Sequence, residues 1–168
     1  EGQLLTARLS PKSSGGGTPQ SLLVANACLA PAPPSANALQ VCCLARELCR
    51  EQCQARVLLG RLQLSSGSPA YQLLRDGYLD DDMIEELQRH CDVARPGKEN
   101  AALVNLLWKA FQHPSSSLRS CYAAAKGSEL PGGASSPAWF SSESLRVLEA
   151  PSQNAEQGCA VRLAFSSQ

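Results

Sequence analysis

The chain has 168 residues, with 15 basic and 15 acidic side chains and no net formal charge. That balance argues against a nucleic-acid or polyanion binder, whose charge distribution is usually basic. No apolar run approaches the ~20 residues of a membrane span, and 43% apolar against 18% charged content points to surface buried against a partner.

In chain order, Leu5, Ala7 and Leu9 alternate with Leu4, Thr6 and Arg8, the period of a half-buried strand. Ser10 to Pro19 is rich in Ser, Gly and Pro and reads as a flexible stretch. Leu22 to Leu29 fits a buried strand. After Pro33-Pro34 a long helix is expected, with Ser35 or Asn37 as its N-cap. Its face is Val41, Leu44, Leu48, Ala55, Leu59 and Leu62, with Gly60 ending or bending it. Ser68-Pro69 starts a second helix that stops at Gly77. Asp80, Asp81 and Asp82 open a third, where the helix dipole favours negative charge. Leu103, Val104, Leu107, Trp108 and Phe111 define a fourth, closed by His113-Pro114. A fifth, capped by Ser115 or Ser116, carries Leu118, Cys121 and Tyr122 to Gly127. Beyond it, Ser144 to Glu149 fits strand or helix, and Cys159 to Phe165 alternates as a strand.

These readings predict a mainly α protein (α+β overall): a bundle of about five helices over residues 37–127. Residues 1–36 and 128–168 flank it and supply short strands. Glu1 in place of an initiator methionine reads as a piece cut from a larger protein.

No catalytic constellation stands out. His90 and His113 are the two candidate bases, and His90 diverges from its neighbour Cys91 on a helix. Phosphate-cradling loops, nucleophile elbows and paired zinc histidines do not occur. The eight cysteines are irregular, four of them in Val41–Cys53. On a helix Cys42, Cys49 and Cys53 would share a stripe that a soft metal or a thiolate chemistry could use. Against that, zinc sites take a knuckle from a turn plus a second ligand pair, and cysteine also serves as a small buried hydrophobe. Disulfides within such a helix are geometrically awkward, and no glycosylation acceptor occurs. A reducing cytosol or nucleus fits better than secretion.

Trp139-Phe140, an aromatic pair in a polar setting, is a candidate partner-binding anchor, with packing back onto the bundle the favoured alternative. Arg46 and Arg50 on the first helix and Asp81 and Asp82 on the third have opposite charge: the two helices pair within the fold or one offers a docking face, with solvated faces as the default reading. Lys98-Glu99-Asn100 matches a ubiquitin-ligase degron and Ser10-Pro11-Lys12 a proline-directed kinase site, both short enough to arise by chance.

The run Leu73-Leu74-Arg75-Asp76-Gly77-Tyr78-Leu79, then Asp80-Asp81-Asp82-Met83-Ile84-Glu85-Glu86-Leu87-Gln88, then Leu103-Val104-Asn105-Leu106-Leu107-Trp108, resembles a death-fold module of the caspase-recruitment type. The resemblance covers residues 68–127 and rests on apolar pattern. It implies homotypic assembly through charged helix faces, with Arg46, Arg50, Asp81 and Asp82 as the residues to suspect. Residues and resemblance together lead to a non-enzymatic interaction or scaffold module without cofactor or metal. Its expected partner is another protein chain or the rest of the parent protein, in an intracellular compartment. The alternative is a metal-binding or catalytic domain built on Cys42, Cys49 and Cys53.

Overall fold

The structure, a computed structural model, describes residues 2–10, 21–94, 117–129, 138–149 and 162–165, with residues 90–94 as backbone only. Its strands are β1 (Gln3–Leu9), β2 (Leu22–Cys28), β3 (Ala55–Arg61), β4 (Arg119–Ser120), β5 (Ala138–Phe140), β6 (Leu145–Glu149) and β7 (Arg162–Phe165). Its helices are α1 (Pro34–Arg50), α2 (Pro69–Asp76), α3 (Asp81–Ala94) and α4 (Cys121–Lys126).

The expected five-helix bundle is overturned. The chain is α+β, with a five-stranded mixed sheet in the order β1-β2-β3-β5-β4 and a two-stranded sheet of β6 and β7. The physical reason lies in residues 51–61. The long helix expected to run past Leu59 stops at Arg50, and Glu51 is already extended (φ −79°, ψ 119°). Arg56 then reaches back: its Nε donates to the Leu48 carbonyl at 2.9 Å and its guanidinium Nη2 to that of Glu51 at 3.2 Å. Those carbonyls lack partners within the helix, so a side chain from the next strand closes it. Ala55–Arg61 pairs in parallel with β2, making α1 the crossover of a β-α-β unit.

The helix starts are mostly local chemistry. Pro34 holds the first position of α1 at a helical φ, and neither Ser35 nor Asn37 caps it; the N-cap is Pro33. Ser68 caps α2 by accepting from the Tyr71 amide, and Gly77 ends it at φ 80°. Asp80 accepts from the Met83 amide at 2.9 Å and from the Gln72 side chain at 2.6 Å. These bonds, the Met83 one foremost, hold its carboxyl below the ordinary carboxylate range. The last helix begins later than expected, at Cys121, with Ser120 as cap and Gly127 as its left-handed stop. The expected fourth helix, with Trp108, Phe111 and His113, lies outside the described residues.

The five-stranded sheet is buried on both faces at its centre. Leu23, Ala25, Ala27, Leu58 and Trp139 meet α1, α2 and α3 through Val41, Leu48, Tyr71, Leu74 and Leu87. On the opposite face Ala55, Val57, Ala138 and Phe140 meet Cys121, Leu145 and the small sheet's Leu163 and Phe165. The strand-forming part of 1–36 thus pairs directly with a segment of 37–127, in one sheet.

Candidate functional site

Trp139 and Phe140 lie in β5, opposite Leu58 and Val57 of β3. Trp139 is fully buried, its ring edge-on to Tyr71 at 5.2 Å between centroids, and Phe140 is buried on the other face. The structure thus places the aromatic pair in the core, the packing alternative. Arg46, Arg50, Asp81 and Asp82 are all exposed. Arg50 pairs with Glu47 of its own helix at 2.7 Å.

The three cysteines of the metal alternative do not share a stripe. Cys42 is buried in the core, Cys49 is exposed, and Cys53 falls beyond the end of α1. Burial, foremost, pushes the Cys42 thiol up, away from the thiolate form that binds metal or attacks carbon. Among the described residues no three His, Cys, Asp or Glu side chains are grouped so as to hold a metal ion. The side chains of His90 and Cys91, and all of His113, lie outside the described set.

A polar cluster ties α2 to the segment after α4. The Tyr71 hydroxyl donates to one Glu129 oxygen and the Ser120 hydroxyl donates to the other at 3.1 Å. Burial first, and the carboxylate next, raise the Tyr71 pKa. Each group is answered by a neighbour within the fold, and Ser120 is also the cap of α4. The arrangement braces the helices.

The surface feature with most unanswered chemistry is β1. It pairs over its full length with β2, Gln3 opposite Cys28 through Leu9 opposite Leu22, without a bulge. It forms one margin of the five-stranded sheet, while the two-residue β4 forms the other. All seven of its residues are exposed, including Leu4 at 40%, Leu5 at 73% and Leu9 at 52%. Folded proteins usually shield a long margin with proline, lysine, an inward charge or a bulge. The sequence of β1, QLLTARL, has a single arginine and none of the other devices.

Beneath β1 an open cleft of about 530 Å³ separates it from α1. Leu4, Leu29, Leu39 and Leu44 make its walls apolar, with Cys43 and Glu47 at its polar side. The Gln40 amide clasps the backbone of Ala30 in both directions, accepting at 3.0 Å and donating at 3.2 Å, and so fixes the chain leaving β2 against α1. Alternation alone does not distinguish an exposed margin from a half-buried strand. The missing lysine, proline and acid in 3–9 were the available signal.

No protein-family model, curated protein or solved structure matches this chain. Among the described residues no helix is long and apolar enough to cross a membrane.

Proposed function

We propose that this chain is a non-enzymatic protein-interaction module that takes a partner's extended segment along β1. One observation carries the reading: a regular seven-residue margin strand with every residue exposed and three leucines on it. Strand addition supplies affinity through main-chain hydrogen bonds and specificity through pockets for alternate side chains. The leucine-walled cleft under Leu4 offers such a pocket, and Arg46, Arg50, Asp81 and Asp82 offer exposed charge for orientation. Free, exposed thiols at Cys28 and Cys43 favour a reducing intracellular compartment.

The test is co-purification from cells with three baits: the natural chain, Leu5→Lys, and Glu85→Lys on exposed α3 as a control. Specific partners should be lost with Leu5→Lys and kept with the control. Partners indifferent to Leu5→Lys, or a natural chain that retains none and does not associate with a second copy of itself, would sink the reading.

A further inference from the structure

Resting on that reading of β1, we infer that the segment it takes is β1 of a second copy, joined antiparallel across a two-fold axis through Thr6. One antiparallel register pairs all seven residues, Gln3 to Leu9, with a second Gln3 to Leu9. It sets Thr6 opposite Thr6, Leu5 opposite Ala7, Leu4 opposite Arg8 and Gln3 opposite Leu9.

Two features make this register self-complementary. On the face away from α1, Leu5 of one copy has Leu5 and Leu9 of the other as its diagonal neighbours. Diagonal residues on one sheet face are ~7–8 Å apart, within reach of long side chains. The four leucines that the pair carries on this face, Leu5 and Leu9 of each copy, therefore form one strip, covering side chains that each copy alone leaves to water. On the face toward α1, the second copy's Arg8 stands opposite Leu4, which lines the same cleft as Glu47. The only charge on β1 thus meets an acid at that cleft, and the two arginines stay four positions apart. Glu47 already pairs with Arg50, but exposed pairs of this kind are weak and leave the carboxylate open to a second cation. Zero net charge puts no overall repulsion between copies. Among the described residues β1 is the one long margin of the five-stranded sheet, since β4 has two residues, and pairing through β1 about a two-fold axis closes at two.

Light scattering of the purified chain across a range of concentrations tests this. The expected result is a mass moving from 17.8 kDa to twice that value as concentration rises. Leu5→Lys brings two ammonium groups diagonally together and should raise the dimer dissociation constant about tenfold or more. Leu5→Glu should do the same, and mixing the two variants should restore a dimer. Arg8→Glu, facing Glu47, should also weaken it. Unchanged far-ultraviolet circular dichroism establishes that each variant is folded. A natural chain that stays monomeric, a dimer indifferent to Leu5→Lys, or assembly growing past two overturns the inference. The first two leave the module reading intact wherever co-purified partners are still lost with Leu5→Lys, so the failures are separable.

Discussion

Gly60→Ala tests the central feature of the fold, because the two possible settings of this residue predict opposite signs. Gly60 lies in β3 opposite Ala27 of β2, at φ 126°. A Cβ added there would sit 2.0 Å from the Ala27 carbonyl oxygen and 2.8 Å from the Asn26 side-chain oxygen. The asparagine can swing away, but the carbonyl belongs to the paired backbone and cannot. Forcing a non-glycine residue into such a conformation costs about 1–3 kcal/mol. Displacing β2 locally adds to that, so a total near 3–4 kcal/mol is expected, against a typical domain stability of ~5–15 kcal/mol. For a chain of this length that lowers Tm by roughly 10 °C. In a continuous helix from Pro34 onward the same substitution would stabilise by about 1 kcal/mol. Urea unfolding followed by circular dichroism reads the difference as a lower midpoint at unchanged slope. Gly67→Ala is the control, since a Cβ there meets nothing within 4 Å. A Gly60→Ala midpoint equal to or above that of the natural chain would refute the placement of β3.

Arg56→Ala removes both bonds that close the end of α1 and should cost about 2 kcal/mol. Amide exchange should quicken in the last turn of α1 and not in α2. Trp139→Ala empties a fully buried site and should cost about 3–5 kcal/mol in the same unfolding assay; near-neutral stability would mean the ring is not in the core. Tyr71 is held neutral in the fold, so its contribution is complete below its ordinary pKa of 10.0 and is lost as pH rises through the higher folded value. Tyr71→Phe should therefore flatten the alkaline loss of stability, measured as the urea midpoint from pH 8 upward.

How far the fold could be read from the residues depended on where each signal sits. The second helix is bounded by its own neighbours: the Ser68 hydroxyl accepts from Tyr71 three residues on, and Gly77 supplies the left-handed stop. Local signals of that kind survive without knowledge of the tertiary structure. The end of α1 has none, because no glycine or proline follows Arg50 before Gly60, and its closing donor is a side chain of β3. The residues of β3 also mislead on period. Val57 and Leu58 are both buried, one toward each face of the sheet, so the strand shows no alternation. Ala55, Leu59 and Leu62 then continue the helical spacing of Val41, Leu44 and Leu48 by coincidence. Trp139 and Phe140 left two readings open for another reason, since a three-residue strand between polar stretches is shorter than any window that could show a period. For the candidate site the missing information was order in the sheet. Leu4, Leu5 and Leu9 read as half-buried because their spacing is that of a strand, and only the position of β1 at the margin exposes all seven residues. Margin position is a property of the whole topology, whereas composition is local. A strand without lysine or proline therefore reads from composition as half-buried, and only the topology places it at the margin of the sheet.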